Sequence, residues 1–339
     1  MKRRTLPALL LPLALLLAAC GGGASSTGSG GSTDGKGSVT LDVGDQKGGY
    51  EAILRASGEL DDLDYRVKWS TFTSGPPLLE AVSAGAVDIG GVGNTPLVFA
   101  AGSDSNIVVV GASHGSSAGE AIVVPKDSPL KKPEQLRGRS IAVAQGSSAH
   151  FQLVASLRKA GLSKLNYLQP ADALAAFSRG KVDAWAIWDP YTSQILRAGN
   201  ARVLTTGEGV VNGLGFQVAS PASLKDKQKS WAIGDLLVRL ERAQNWVFEH
   251  PEEWAKVWAK ETGLPYEVAL DAVKLTYGTR VPVAIDAAAI ASEQEIADTF
   301  ADLKLIPRRF DFEEYVDTRF NRNLPASSTA PRSYGKASS

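Results

Sequence analysis

Two predicted helix starts, separated by one short apolar strand, form the part of the sequence best suited to binding chemistry. One contains Ser74, Gly75 and Pro76, and the other begins with Asn94 and Thr95 before a further proline. Proline is tolerated at a first helical position because the N–H group that it lacks has no partner within the helix. Free N–H groups and the positive end of the helix dipole attract anions at such starts. The pattern predicts capture of a small anion, with plain helix capping as the alternative at each start.

A third helix start and one side chain near the first predicted strand extend this set of donors. Gly146 and Ser147 open the third helix, where a glycine lets backbone N–H groups approach a ligand closely. Gln46 directly follows the first predicted strand, at the carboxyl end where open α/β sheets bind ligands. His150, in the first turn of the third helix, has two interpretations. It either donates to the anion and makes binding pH-sensitive, or it packs as a structural histidine.

Two tryptophans and two carboxylates complete the candidate side chains. Trp185 and Trp188 lie on or just beyond one predicted strand, and their odd spacing need not point them to the same face. Each is interpreted either as an apolar wall of the pocket or as a core residue. Asp189 is expected to cap a helix, with a pocket role as the alternative. Glu120 lies at a predicted crossing between lobes, where a carboxylate near an anion is unfavourable unless it is paired, so a hinge role is favoured.

The elements that position these residues alternate between strands and helices. Apolar periodicity predicts strands at 39–44, 67–69, 87–90, 107–111, 120–125, 140–144, 182–187, 203–205 and 216–219. The predicted helices are 50–58, 77–84, 149–160 and 171–177, and the chain is nearly all helical after residue 223. The alternation predicts an α/β architecture with largely parallel sheets.

One internal repeat bears on the number of lobes. Residues 79–90 and 174–185 each read as a helix, a glycine at its end and a strand entered through Val-Asp. Two similarly built lobes would produce this repeat, and chance is the alternative because such units are common in α/β proteins. With two lobes, strands 120–125 and 212–219 would be the crossings between them.

The first twenty residues resemble an export signal. A basic start at Lys2, Arg3 and Arg4 precedes an apolar, proline-interrupted stretch at 6–17 that is too short to span a membrane. The sequence Leu-Ala-Ala-Cys at 17–20 resembles the bacterial lipobox, in which the cysteine becomes the lipidated first residue of the mature protein. Cys20 is the only cysteine, so no disulfide is expected in the mature chain.

Composition limits the function classes of the remaining chain. Removing residues 1–19 takes away three positive charges and leaves 33 Lys and Arg against 36 Asp and Glu. The remaining chain therefore lacks the basic excess that is typical of nucleic-acid-binding proteins. The sequence has no phosphate-binding loop, no metal-like Cys/His cluster and no catalytic triad, and no nucleophile lies beside His150. Residues 38–324 are sufficient for two modest lobes or one large domain. A binding protein without a cofactor is expected, rather than an enzyme.

The chain resembles the periplasmic-type substrate-binding proteins of ABC importers, specifically the aliphatic-sulfonate-binding family. The most specific matching segments are Gly-Pro-Pro-Leu-Leu-Glu-Ala at 75–81 and Trp-Ala-Ile-Trp-Asp-Pro at 185–190. Other matching segments lie at 44–47, 93–96, 119–128, 146–150 and 169–173, and the resemblance covers residues 38–322. The sequence departs from the family pattern at Asp45, where an aromatic residue more often precedes Gln46, and at Asn94, where aspartate is also common.

The resemblance implies a two-lobed, type II-like fold, each lobe a mostly parallel sheet flanked by helices, with a helical C-terminal region. The implied division is a signal peptide at 1–19, a Gly/Ser-rich tether at 20–37, lobe 1 at 38–122 and 217–324, lobe 2 at 123–216, and a disordered tail at 325–339. Together with the donor pattern it gives the following candidate ligand-binding residues: Gln46, Ser74, Gly75, Pro76, Asn94, Thr95, Gly119, Glu120, Gly146, Ser147, His150, Trp185, Trp188 and Asp189.

The function implied by the resemblance is capture of an alkanesulfonate between two lobes and its delivery to an ABC permease. The protein would be a monomer on the outer face of a bacterial membrane, anchored through lipidated Cys20. Three alternatives stay open: a binder of nitrate, bicarbonate or a pyrimidine precursor, a ligand sensor, and an enzyme like the related pyrimidine-precursor synthases. The enzyme is disfavoured because those synthases use a cysteine-rich motif, and the mature chain has no cysteine beyond residue 20.

Overall fold

The computed structural model of the protein describes residues 39–157 and 164–334. The predicted signal peptide, Cys20, the tether, positions 158–160 of the predicted helix 149–160 and the last five residues lie outside the described residues. Within the described ranges, no helix is both long and apolar enough to cross a membrane.

Strands and helices alternate through the first two thirds of the described chain. The strands are β1 (Thr40–Gln46), β2 (Arg66–Phe72), β3 (Ile89–Gly93), β4 (Val108–His114), β5 (Ala121–Pro125), β6 (Ser140–Val143), β7 (Lys164–Tyr167), β8 (Ala184–Ile187), β9 (Ala201–Thr206), β10 (Leu214–Ala219) and β11 (Val281–Val283). The helices are α1 (Tyr50–Ala56), α2 (Gly75–Ser83), α3 (Asn94–Gly102), α4 (Ser148–Leu157), α5 (Pro170–Ser178), α6 (Tyr191–Arg197), α7 (Pro221–Lys225), α8 (Lys227–Glu249), α9 (Pro251–Thr262), α10 (Tyr266–Leu275) and α11 (Ala287–Asp302). The periodicity missed β7 and β11, which are only four and three residues long.

The strands form two sheets, one for each lobe of the expected two-lobed fold. The first sheet has the order β11-β4-β10-β3-β1-β2, and the second has the order β7-β6-β8-β5-β9. Both sheets are mixed rather than largely parallel. β1 is parallel to β2 and β3, and β6 is parallel to β7 and β8, but β10 and β5 are antiparallel to both of their neighbours. β5 and β10 are the strands that receive the chain from the other sheet, and the short edge strand β11 is also antiparallel to its neighbour β4. Hydrophobic periodicity carries no information about strand direction.

The two lobes are built alike, so the internal repeat reflects the fold. The series β1-α1-β2-α2-β3-α3-β4 recurs as β6-α4-β7-α5-β8-α6-β9, and each sheet takes its middle antiparallel strand from outside that series. The two Val-Asp positions are equivalent: the Asp88 carboxylate accepts the Asp42 N–H at 2.8 Å, and the Asp183 carboxylate accepts the Ser140 N–H at 2.8 Å. β5 lies wholly in the second sheet and β10 wholly in the first, so the boundaries expected at 122/123 and 216/217 each fall inside a strand.

Helices cover both faces of the first sheet. α2, α3 and α11 bury apolar side chains against one face, and α1 and α8 bury them against the other. Phe151 and Val154 of α4, which belongs to the second lobe, join the first of these clusters. An apolar core therefore continues from one lobe into the other, and burial of this surface favours their contact.

Residues 325–334 are packed against the first lobe, although their composition predicted disorder. Ser327 donates from both its N–H and its hydroxyl to the Asp286 carboxylate, and the Pro325 carbonyl accepts the Ala284 N–H at 2.8 Å. The Tyr334 ring lies 4.9 Å from that of Phe248, measured between centroids. Small polar residues here satisfy backbone and capping groups of other elements, a role that composition does not reveal.

We expect the two equivalent aspartates to differ in their effect on stability. Asp88 also binds Lys229 Nζ at 2.7 Å and the Ser223 hydroxyl, and its side chain is only 4% exposed, against 43% for Asp183. Asp88→Ala should lower the free energy of unfolding by about 3 kcal/mol, because it leaves a partly buried ammonium without its partner. Asp183→Ala, the matched control, should cost about 1 kcal/mol. Urea unfolding of both variants measures the difference, and equal losses would contradict it.

Candidate functional site

The predicted site residues lie along two sheet edges that are joined by short connections. β1, β2, β3 and β4 end, and β10 and β11 begin, at one edge of the first sheet, as their parallel and antiparallel pairings require. β6, β7 and β8 end, and β5 begins, at one edge of the second sheet. The connection after β4 and the connection before β10 bond to each other, with the Gly115 N–H donating to the Gly213 carbonyl at 3.0 Å. Residues at both edges therefore meet near these two crossings.

The starts of α2 and α3 are in contact in the structure. A Cβ atom placed on Gly75 would lie 3.0 Å from the Pro96 ring, so glycine is what allows this approach. Ser74 precedes α2 in an extended conformation, and its side chain makes no capping hydrogen bond. Pro76 follows as an exposed residue. The start of α2 therefore keeps hydrogen-bonding groups that a ligand can use.

The start of α3 uses most of its own groups internally. The Asn94 Oδ1 atom accepts from the Thr95 N–H at 2.6 Å and from the Thr95 hydroxyl at 3.0 Å, and Pro96 has no N–H. The Asn94 amide donates to Asn212 Oδ1 at 2.7 Å. Because Asn94 and Thr95 are both buried, this end of α3 offers an anion its dipole and a rotatable hydroxyl more than a row of free N–H groups.

Gln46 ends β1 at the same edge and donates from Nε2 to the Gly91 carbonyl at 3.3 Å. The residue before it, Asp45, accepts the N–H groups of Tyr50 and Glu51 and so holds the start of α1. Burial raises the pKa of Asp45, and these backbone hydrogen bonds oppose the shift. The Tyr50 ring covers Gly91, where no Cβ atom would fit. Gln46 and the Tyr50 ring of α1 thus both contact Gly91. The edge therefore has an aromatic ring, although the residue before Gln46 is aspartate and not the aromatic residue that is more frequent in the family.

Arg280 is the cation of this edge, and sequence reasoning missed it. Its guanidinium donates to the Ser113 hydroxyl at 3.3 Å and lies against Gly215. Within the described residues this is its one hydrogen bond, and no carboxylate lies at ion-pair distance from it. It comes directly before β11, so it reaches the edge only because that three-residue strand pairs with β4. Lys47, the cation nearest to Gln46 in sequence, instead donates to the Thr262 carbonyl.

Glu120 lies in the first crossing, where the sequence predicted a hinge role. Burial raises the pKa of Glu120 to about 7, while a hydrogen bond from Ser148 and the charge of Arg280 oppose the shift. Its Oε2 atom is buried and has no hydrogen-bond partner among the described residues. Its carbonyl accepts the Gly207 N–H at 2.8 Å and so ties the two crossings together. A carboxylate that is partly protonated at neutral pH repels an anion less than an ionised one.

Asp189 is a capping and linking residue rather than an open pocket residue. Its Oδ1 atom accepts from the N–H and hydroxyl of Ser193 in α6, and its Oδ2 atom accepts from the Thr276 hydroxyl at 2.8 Å. Tyr277 donates to its carbonyl at 2.9 Å, so the second lobe is fastened here to the segment after α10. Gly119 packs directly against this carboxylate, where a Cβ atom would not fit. The expected cap is therefore present, and both carboxylate oxygens have partners.

The start of α4 is also largely satisfied from within. The Gly146 N–H donates to His150 Nδ1 at 3.2 Å, and the Ser147 hydroxyl donates to the Ala144 carbonyl at 2.7 Å. His150 is fully buried among the rings of Phe99, Phe300 and Tyr167. Burial lowers the pKa of His150 to about 4, so the ring is neutral at pH 7. Binding is therefore not expected to depend on His150 titration near neutrality. Because Nδ1 accepts from Gly146, Nε2 carries the proton and has no partner among the described residues, so donation from His150 to a ligand stays a prediction.

The two tryptophans occupy different environments. Trp185 is fully buried in the second lobe between Phe177 and Tyr191, with centroid distances of 6.1 and 6.0 Å, so it belongs to the core rather than to a pocket wall. Trp188 is half-buried and follows β8 at the sheet edge, next to Asp189. Trp188 packs partly against the apolar clusters of the second lobe, and of the pair it alone keeps exposed surface, so the pocket-wall interpretation stays a prediction for Trp188 only.

This arrangement is suited to binding rather than to covalent chemistry. It combines one guanidinium, several hydroxyl groups, two helix starts and a half-buried indole. Among the described residues no cluster of His, Cys, Asp and Glu could hold a metal ion. These groups are suited to the reversible holding of a small anion with an apolar part.

Comparison with known proteins agrees with this interpretation. Residues 60–227 match a family model described as ABC transporter, phosphonate, periplasmic substrate-binding protein. A putative aliphatic sulfonates-binding protein of Escherichia coli K12 is 34% identical over 291 residues, which cover 81% of this chain and 88% of the relative. A protein of the same description from Bacillus subtilis is 29% identical, with 82% of each chain covered.

Solved structures show the same fold. The alkanesulfonate-binding protein SsuA from Xanthomonas axonopodis pv. citri, bound to MOPS, superposes with a TM-score of 0.75 at 32% identity. The match covers 83% of this chain and 99% of that one. The desulfurization enzyme DSZB, at 15% identity and a TM-score of 0.63, shares the fold alone.

We expect His150 to make the protein less stable in acid. The neutral ring stabilises the fold above pH 6.5, the ordinary histidine value, and this contribution is lost as the pH falls to about 4, where the folded protein also binds the proton. The free energy of unfolding of the wild type should fall, relative to His150→Phe, by about 3 kcal/mol between pH 6.5 and pH 4. Urea unfolding at several pH values measures this. The exposed His250→Phe serves as control and should retain the loss; parallel curves for wild type and His150→Phe would refute the assignment.

Proposed function

We propose, because this chain belongs to the aliphatic-sulfonate-binding proteins of ABC importers, that it captures an aliphatic sulfonate between its two lobes and delivers it to a membrane permease. Arg280 is the observation that carries the proposal. It is a half-buried guanidinium at the carboxyl edge of the first sheet, held by one hydroxyl and paired with no carboxylate of the described residues. A partly buried cation without a counter-ion is unfavourable, and a bound anion removes that penalty.

A sulfonate supplies the negative charge and the apolar part that the groups at this edge are suited to bind. Its head carries a permanent negative charge over three oxygens, which suits the planar fork of a guanidinium and charge-assisted hydrogen bonds from hydroxyl groups. The start of α2, with Ser74 and Gly75, supplies further groups at the same edge, and the dipoles of α2 and α3 favour the same charge. Trp188, half-buried just beyond β8, would cover an alkyl chain.

Ligand binding between the lobes would favour their closed arrangement. Residues from both sheets meet at the crossings, so a ligand held there contacts both lobes and favours the arrangement in which they are closed. A closed form differs in surface from an open one, which lets a permease distinguish the loaded protein. No bond of the ligand needs to be made or broken, in agreement with a family of substrate-binding proteins.

Export and anchoring are parts of the same proposal that rest on residues outside the described ranges. The basic and apolar start and the Leu-Ala-Ala-Cys sequence support processing before Cys20 and its lipidation. The Gly/Ser-rich segment at 21–37 would let a monomer on the outer membrane face reach its permease.

Arg280 provides the direct test of the anion site. Arg280→Gln should weaken binding of ethanesulfonate by about 10- to 100-fold, because it removes one charge-assisted partner of the head group. Isothermal titration calorimetry of the purified protein measures this. Arg179→Gln, at an exposed position after α5, is the matched control and should bind as the wild type does. Unchanged affinity of Arg280→Gln would remove the central support of the proposal.

The choice of ligand is tested by a series of anions. Ethanesulfonate, taurine and the buffer sulfonate MES should bind at one site more tightly than nitrate or bicarbonate, because the latter have no alkyl part to cover an apolar wall. Competition titrations with tryptophan fluorescence as the readout compare them. Binding of nitrate or bicarbonate alone would keep the transport role and overturn the ligand class.

Anchoring is tested separately in a bacterial host. Cys20→Ala should abolish incorporation of labelled fatty acid and move the protein from the membrane fraction to the soluble extracytoplasmic fraction, because lipidation requires the thiol. Fractionation with immunodetection measures the distribution, and Ser26→Ala in the tether is the control. A Cys20→Ala protein that still sediments with membranes would show that the anchor lies elsewhere.

A further inference from the structure

A chain of hydrogen-bonded side chains leads from the buried side of α11 to the start of α3. The Asn212 amide donates to Glu293 Oε1 at 2.6 Å and to the Ser292 hydroxyl at 3.1 Å. The Asn212 Oδ1 atom in turn accepts from the Asn94 amide at 2.7 Å, and the Asn94 Oδ1 atom accepts from Thr95. Asn212 belongs to the crossing that returns the chain to the first sheet. Three separate segments of the chain therefore meet in one polar relay beside the ligand edge.

Backbone donors fix the direction of this relay. The Leu214 N–H donates to Asn212 Oδ1 at 3.1 Å, and the Thr95 N–H donates to Asn94 Oδ1 at 2.6 Å. A backbone N–H can only donate, so in both amides the atom that it meets is the oxygen. The NH₂ group of Asn212 must then point at Glu293, which accepts from it. Glu293 terminates the relay by accepting from the Asn212 amide.

We propose that Glu293 is a positioning residue for ligand binding, which acts through Asn212 to fix the Asn94 amide and so sets the donors that α3 presents to the sulfonate. This inference rests on the proposed function. With Asn94 held by the Thr95 N–H, the Thr95 hydroxyl can rotate away from Asn94 and donate to a bound oxygen without leaving the amide unsupported. Loss of Glu293 would remove the Asn212 amide's acceptor at 2.6 Å and so loosen Asn212, which holds the Asn94 amide.

The surroundings of Glu293 keep its carboxyl group neutral near pH 7. The side chain is fully buried, and its Oε2 atom has no hydrogen-bond partner among the described residues. Burial raises the pKa of Glu293 to about 8, opposed only by the hydrogen bond from Asn212. The neutral form matters for an anion site, because ionisation would place a negative charge at the end of the relay.

Few other titratable groups belong to the elements around Glu293. α3 carries none, α4 contributes His150, and the crossing at 207–213 contributes Glu208. The short 3-10 helix at 312–315 contributes Glu313, Glu314 and Tyr315, and α11 itself contributes Glu295, Asp298 and Asp302. Glu120, with a pKa of about 7, also titrates in this range. All of these remain in a Glu293 variant, so a difference from the wild type isolates Glu293.

The first test compares ethanesulfonate affinity of wild type and Glu293→Gln between pH 6.5 and pH 9.5. Glutamine can still accept from Asn212 but does not ionise. The two proteins should bind equally at pH 6.5, and the wild type should become weaker than the variant by about fivefold at pH 9.5, as expected for one added charge near an anion. Glu293→Leu should bind about tenfold more weakly than Glu293→Gln at every pH, since the Asn212 amide loses its acceptor at 2.6 Å and keeps only the Ser292 hydroxyl. Glu295→Gln, exposed on the same helix, is the control and should follow the wild type. A pH-independent ratio of wild type to Glu293→Gln, or wild-type affinity in Glu293→Leu, would overturn the proposal.

The second test needs no ligand and separates the relay from the function. Side-chain amide resonances of Asn94 and Asn212 in the ligand-free protein should shift together with a midpoint near pH 8, and the shift should vanish in Glu293→Gln. Resonances that do not titrate would overturn the relay. A wild type that binds no sulfonate but shows this shared titration would overturn the proposed function while supporting the relay.

Discussion

The two crossing segments, hydrogen-bonded to each other, are the constraint on which the rest of the structure depends. The Gly115 N–H binds the Gly213 carbonyl, and the Gly207 N–H binds the Glu120 carbonyl. Each crossing delivers an antiparallel strand into the interior of the opposite sheet, so neither lobe is complete without chain from the other side. The carboxyl ends of the parallel strands of both sheets are thereby brought to the same place. Ligand contact with both lobes follows from this topology before any side chain is considered.

Charge around this edge is controlled mostly by burial. Arg280 has no carboxylate partner among the described residues, and burial raises the pKa values of Glu120 and Glu293 toward or above neutrality. His150 is neutral for the same reason. A half-buried guanidinium among carboxyl groups that resist ionisation favours an anion more than the net charge of the chain would suggest. The preference of the site for an anion therefore depends on the burial of its surroundings as much as on its hydrogen-bond donors.

The sequence predicted the local parts of the site better than the distant ones. The helix starts at Gly75 and Asn94 followed from proline, glycine and apolar spacing, which are local signals. Arg280 was missed because its position depends on pairing of β11 with a strand about half the chain away, and only three residues signal that strand. Glu293 was missed because its partner, Asn212, lies 81 residues away. Trp185 was ambiguous because its burial is decided by Phe177 and Tyr191, not by its own spacing.

The packed segment at 325–334 supports the residues next to Arg280 and Ser113. Its Arg332 N–H donates to the carbonyl of Thr279, the residue before Arg280, and its Thr329 carbonyl accepts from the ring of His114, the residue after Ser113. The segment thus holds the residue before Arg280 and the residue after Ser113, and Ser113 carries the hydroxyl partner of the guanidinium. A segment whose composition predicted disorder therefore supports the positions of Ser113 and Arg280. Homologues that share both lobes but end earlier would need another means of bracing this arginine.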